Sequence, residues 1–199
     1  GSIMALLRDA IKPNLVQTSE GQPAIVHMGP FGNIAHGCSS ILADNLAINC
    51  GDYVVTEAGF GADLGFEKFM DIKVRQGGPE PSLAVIVTTI RGLKWHGGVT
   101  INDMDSPNPE AVRKGSENLK NALRIVNMYG LQAVVAINRF PTDSKDEITI
   151  VKEVAKSAGA FSVQEADGFM SGGDGMTELA TAVVDAANQP SEVKLLYED

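Results

Sequence analysis

Short β-branched runs alternate along this chain with longer stretches of helical period, and that alternation leaves few folds open. Ala24–Met28, Tyr53–Thr56, Leu83–Thr89 and Ala133–Asn138 each stop where glycine or polar residues begin, the pattern of parallel strands covered on both faces. Asn33–Asn49, Ala62–Lys73, Pro109–Tyr129, Ser144–Ser157 and Asp174–Asn188 instead repeat apolar residues at helical spacing. The expected fold is α/β, with a doubly wound, mainly parallel sheet and helices on both faces. In such sheets ligands bind beyond the carboxyl ends of the strands, so the residues that follow each run carry the functional information.

Helix starts support the alternation. Asn108 followed by Pro109 and Glu110 supplies a cap, a proline at the first helical position and an acidic first turn. Ser144 with Glu147 has capping-box spacing. The polar insert Thr100–Asn108 reads as a surface loop, and Ile3–Ile11 as an apolar helical stretch with which the chain begins mid-element. Cys38 and Cys50 fall in what reads as one helix, too far apart along its axis for a bridge, so both are expected to be reduced.

A length of 199 residues suits a single region with its own core, and 44% hydrophobic against 21% charged residues excludes a disordered chain. The net charge of −9 argues against a nucleic-acid surface, which needs clustered Lys and Arg. No long apolar run or signal peptide is visible, so no membrane contact is expected and the compartment reads as cytoplasmic. No Cys or His cluster has metal-ligand spacing.

Five segments combine strand ends with chemistry. His27–Gly37 is a glycine-rich loop opening a helix, whose amides suit an anion or simply a tight turn with two packed histidines. Thr56–Gly65 joins Glu57 and Asp63 to Gly59, Gly61 and Gly65; the carboxylates suit a cation or a nucleophile, or else a helix cap and an ion pair. Arg91, Lys94 and His96 suit a phosphate or carboxylate ligand, or form a solvated basic face. After Asn138 come Phe140 and Pro141, an aromatic fixed by its loop that can stack on a flat ring or return to the core. Asp167–Gly175 is a glycine-rich loop with one aromatic, Phe169, more a pocket wall than a phosphate cradle. No Gly-x-x-x-x-Gly-Lys-Ser/Thr string occurs, so these residues do not complete a nucleotide triphosphate site of that type.

Lys12–Thr18, His27–Gly37, Thr56–Gly65, Arg91–Gly98, Ala136–Asp143, Gly172–Gly175 and Leu196-Tyr197, taken in order, resemble the formate–tetrahydrofolate ligase family along essentially the whole chain. The resemblance implies a P-loop NTPase-like superfold. It also implies a single α/β region matching a central to C-terminal part of the ligase, without the N-terminal part that carries the ATP phosphate loop. It implies an ATP-dependent carbon–nitrogen ligase that makes formyl phosphate from formate and ATP and passes the formyl group to N10 of tetrahydrofolate. ATP with Mg2+ and tetrahydrofolate are then substrates of the complete enzyme, formate is the third, and no tightly bound cofactor is implied.

Carried over by position, Phe140, Pro141, Asn138, Asp143, Gly172 and Gly173 form the implied folate site, with Phe169 where the family usually has tryptophan. Phenylalanine there reduces stacking area and bears on affinity rather than mode. Glu57, Asp63 and Arg91 are the implied catalytic residues, and Gly29, Asn33, His36, Gly59 and Gly61 the implied phosphate or formyl-phosphate contacts. The implied partners are the missing N-terminal part and further copies of the complete enzyme. Two rival readings stay open: a truncated, non-catalytic folate-binding or scaffolding module, and a nucleotide switch protein whose base-recognition loop is Ala136–Asp143.

Overall fold

A computed structural model describes residues 1–28, 36 and 38–198. The chain divides into two compact units, residues 1–80 with 197–199 and residues 81–196. The architecture is α/β, and among the described residues its parallel sheet is confined to the second unit.

In the first unit, helix α1 (Ser2–Leu7) precedes strands β1 (Asn14–Gln17) and β2 (Pro23–Val26), which pair antiparallel with Asn14 opposite Val26. The run expected as a parallel strand over Ala24–Met28 is therefore half of an antiparallel ribbon. It ends early because Met28 turns to φ 69°, outside the extended region. Helix α2 (Ile41–Ile48) is capped by Ser40, whose hydroxyl accepts from the Ala43 N–H at 3.1 Å.

That helix is shorter than Asn33–Asn49, so Cys38 and Cys50 flank it instead of sharing it, and both thiols are free. Tyr53–Thr56 is not a strand. Its β-branched side chains have no ladder partner among the described residues, Val55 is 90% exposed, and β propensity without a neighbour does not hold a strand. The expected helix over Ala62–Lys73 is present, wound wide as π-helical turns at Gly61–Phe66 and Phe69–Val74.

The second unit holds the sheet β3 (Leu83–Thr88), β4 (Gln132–Asn138) and β5 (Ser162–Ala166), all parallel in the order β3-β4-β5. Its helices are α3 (Ile90–His96), α4 (Pro109–Gly115), α5 (Glu117–Met128), α6 (Lys145–Ser157), α7 (Gly168–Ser171) and α8 (Thr177–Ala187). Val134 and Ala136 of β4 pack with Leu179, Ala182 and Ala186 of α8. Successive strand residues face opposite ways, so Ala133, Val135 and Ile137, also buried, turn to the other face, and α5 packs on β4 as well. This central strand is the fully buried run that its composition predicts.

The single helix expected over Pro109–Tyr129 is broken at Ser116, whose buried hydroxyl donates to Val112 O at 2.7 Å. Glycine sets the crossing of α3 and α4: a Cβ on Gly115 would lie 1.8 Å from Leu93 O, and one on Gly97 2.1 Å from Ala111 O. Only residues without side chains permit that approach. The sequence pattern misses α3, whose Arg91, Lys94 and His96 read only as a cationic cluster, and β5, whose Ser-Val-Gln-Glu-Ala string buries only Val163 and Ala166.

Candidate functional site

The carboxyl ends of β3, β4 and β5 lie side by side, because Thr88 pairs with Ile137 and Asn138 with Ala166. Thr89 leaves β3 and caps α3, its hydroxyl accepting from the Gly92 N–H at 2.9 Å, which puts Arg91 in the first turn at this edge. Phe140 and Pro141 follow β4, and Phe169 sits on α7 just after β5.

The geometry brings Arg91 and Phe140 together. The guanidinium carbon lies 5.6 Å from the ring centroid, and the same guanidinium reaches Asp105 Oδ1 at 3.2 Å. A cation over a ring face at this distance is attractive by about 0.5–1 kcal/mol where exposed. Phe140 is half-buried, while Phe169 is 84% exposed.

Asp143 closes the turn after β4. Its Oδ2 accepts from the Phe140 N–H at 2.8 Å, whereas Oδ1 is buried with no hydrogen-bond partner among the described residues. Burial pushes its carboxyl up, a push that the Phe140 N–H, Lys94 and Arg139 only partly oppose and that Glu147 reinforces. Asn138 is exposed at the strand end, as are Gly172 and Gly173 in the loop after α7. That loop is tied back to β5 by the Asp167 N–H, which donates to Gly175 O at 3.1 Å.

Behind this edge is a buried ion pair. Lys94 Nζ lies 3.0 Å from Glu147 Oε1, with side chains 1% and 0% exposed. Lys94 also donates to Met104 O at 2.8 Å and Ser106 O at 3.1 Å. Glu147 accepts from the Asn108 N–H at 2.8 Å, from the Ser144 N–H at 3.0 Å and from the Ser144 hydroxyl at 2.7 Å. Burial pushes its carboxyl up, but these donors and Lys94 together hold it below the ordinary value. The reading of Lys94 as part of a solvated basic face is thus wrong: an ammonium this deep needs a carboxylate and carbonyls, and it has both. His96 alone of the other two is exposed.

The remaining sequence-predicted residues belong to the first unit. Glu57 and Asp63 are exposed, and Gly59 and Gly61 both take φ 80°, which only glycine adopts readily. His36 lines a cleft of about 390 Å³ with Cys38, Ser40, Lys73 and Gln76. Lys73 is buried and paired with Asp44. His27 is buried, its Nε2 2.9 Å from Ala10 O and its Nδ1 2.6 Å from Ser40 Oγ. The carbonyl can only accept, so Nε2 carries hydrogen. Gly29 and Asn33 lie outside the described residues.

The sequence model of the family described as formate–tetrahydrofolate ligase matches residues 1–199. The chain belongs to the formate–tetrahydrofolate ligase family. It is 54% identical over 202 residues to the formate–tetrahydrofolate ligase of Porphyromonas gingivalis, with 100% of this chain and 36% of the relative covered. Similar relatives carry the same name in Sphingobium sp. (53%) and Symbiobacterium thermophilum (51%), each again over 100% of this chain and 36% of the relative. The chain thus spans about a third of the length of these ligases.

Within this ligase-family segment, sequence reasoning singled out Arg91, Phe140 and Asp143, which the structure brings together, but not the Arg91–Asp105 contact or the second contact of Glu147. Glu147 is legible as a capping-box residue, and the structure confirms the box with Ser144. Its contact with Lys94 spans 53 positions and leaves no local signal. Among the described residues no group of three or more His, Cys, Asp or Glu is placed to hold a metal, and no helix is long and apolar enough to cross a membrane.

Proposed function

We propose that this chain supplies the tetrahydrofolate pocket and part of the formyl-phosphate site of an ATP-dependent formate–tetrahydrofolate ligase. The observation that carries the reading is Asp143, whose buried, unpartnered Oδ1 lies in the same turn as the Arg91-stacked ring of Phe140. A flat heterocycle with ring N–H and amino donors matches that pairing, since it stacks on the aromatic and gives the orphaned oxygen a donor. Family membership favours a pterin as that heterocycle. Phe169, exposed at the next strand end, is free to cover its second face, and Asn138, Pro141, Gly172 and Gly173 complete the wall.

In this reading formate attacks the γ-phosphate of ATP to give formyl phosphate and ADP. N10 of tetrahydrofolate then attacks the formyl carbon; the C–N bond forms, the carbon–oxygen bond to phosphate breaks, and N10 loses its proton. Arg91 opposes the charge on the departing phosphate. Glu57 and Asp63, with the amides around Gly59 and Gly61, serve the formyl-phosphate end, as do His36, Gly29 and Asn33. Mg2+ enters with ATP as part of that substrate. The three-strand parallel sheet is read as one edge of a P-loop NTPase-like superfold, within a cytoplasmic homo-oligomer whose phosphate loop lies outside these residues.

The test joins the chain to a family segment bearing a Gly-Lys-Ser or Gly-Lys-Thr loop and measures formate- and tetrahydrofolate-dependent ADP release. Turnover that disappears when either substrate is withheld supports the reading. Tetrahydrofolate binding without turnover points instead to a non-catalytic folate-binding module.

A further inference from the structure

We propose that Lys94 and Glu147 are positioning residues for tetrahydrofolate, holding from behind the loop that carries Asp105, the partner of Arg91, and the turn that carries Phe140. The inference rests on the folate reading above and concerns residues that do not themselves reach the ligand.

Burying two charges carries a desolvation cost before they attract one another, so a pair at 1% and 0% exposure is expensive as mere packing. Its hydrogen bonds show where it acts. Lys94 Nζ grips the carbonyls of Met104 and Ser106, the residues on either side of Asp105. Asp105 in turn reaches the Arg91 guanidinium, which lies over Phe140. Glu147 holds the Asn108 N–H, the far end of the same loop, and both donors of Ser144, the residue that follows Asp143.

One ion pair therefore fixes the loop that aims the cation and the turn that carries the ring and the orphaned carboxylate. Residues 100–108, which read as a plain surface loop, are anchored here: Met104 is 6% exposed. Every link up to the final Arg91–Phe140 cation–ring contact is a charge-assisted bond or a bond to backbone, so the geometry passes largely through the chain itself.

The experiment is calorimetric titration of the full chain with tetrahydrofolate, alongside Phe140→Ala, Asp105→Asn, Asp105→Glu and the double variant Lys94→Met/Glu147→Met. The double variant removes both charges together, because leaving one buried alone risks the fold. Asp105 is exposed, so its variants test the same linkage without touching the core. Expected is a loss of affinity of about threefold or more in Asp105→Asn and in the double variant, with Asp105→Glu within about twofold of the parent. A purely structural role would lower the melting temperature and leave the dissociation constant of Asp105→Asn, Asp105→Glu and the double variant alike at the parental value.

Parental affinity in Asp105→Asn or in a folded double variant overturns the positioning role. Should the double variant not fold, the Asp105 pair decides alone. Failure of the parent chain to bind, or parental affinity in Phe140→Ala, overturns the folate reading and the positioning role with it.

Discussion

The Arg91 guanidinium carbon lies 5.6 Å from the centre of the Phe140 ring, so side chains from the segments that follow β3 and β4 form one surface. A ligand ring stacked on Phe140 meets a face already polarised by the cation. Arg91→Met keeps most of the side-chain stem and removes the charge. It should weaken tetrahydrofolate binding by about 0.5–2 kcal/mol in a direct titration, the range for a cation–ring contact that ligand binding desolvates. Unaltered affinity would confine Arg91 to the phosphate end of the reaction.

Ionising Asp143 in the folded protein carries a cost. Its carboxyl is pushed above the ordinary 3.8, chiefly by burial, so the folded state takes up a proton more readily than the unfolded state does. The penalty is absent below pH 3.8 and is fully present once the pH exceeds the raised folded value. Asp143→Asn keeps an oxygen for the Phe140 N–H and loses the charge. The variant should melt above the parent at pH 7, the gain should vanish below pH 3.8, and tetrahydrofolate affinity should fall. Lower stability at pH 7 would contradict this.

Glu147 shows the opposite sign. Its donors outweigh burial and hold the carboxyl below the ordinary 4.5, so its stabilisation is present above pH 4.5 and is lost as pH falls through the lower folded value. Glu147→Gln leaves Lys94 buried without its carboxylate, which should cost about 3–5 kcal/mol at pH 7 in denaturant unfolding. The gap between parent and variant should narrow under acid. A constant gap from pH 7 down to the acid transition would show that charge is not what Glu147 contributes.

How much of this was legible in the sequence depends on the range of the forces involved. β4 announces itself because every residue from Ala133 to Ile137 is buried, and the Ser144–Glu147 box because capping is local. Tyr53–Thr56 misleads because composition states a preference while a strand needs a partner, and none is found among the described residues. β5 stays hidden because two polar residues, Gln164 and Glu165, both half-buried, interrupt its apolar run, Glu165 pairing with Arg139 at 3.2 Å. At the candidate site, strand ends and family resemblance lead to Phe140 and Asp143. Lys94 was misread because a lysine between Leu93 and Trp95 looks surface-bound until a carboxylate from α6 is brought beneath it.

Nucleotide should bind poorly to this chain by itself. The lysine and glycine amides that grip β- and γ-phosphates have no counterpart in its sequence, and helix-start amides alone attract anions weakly and in a salt-sensitive way. Titration of the folded chain with Mg-ATP should give neither hydrolysis nor micromolar affinity. A dissociation constant near 1 μM, about 8 kcal/mol of binding free energy, would place a nucleotide site among these residues after all.

The most direct measurement is the affinity of tetrahydrofolate for the full chain compared with Phe140→Ala under identical conditions. The account predicts saturable binding to the parent and a loss of about 1–3 kcal/mol in the variant, the scale of a stacking aromatic and its burial. Equal affinity in the two proteins would contradict it.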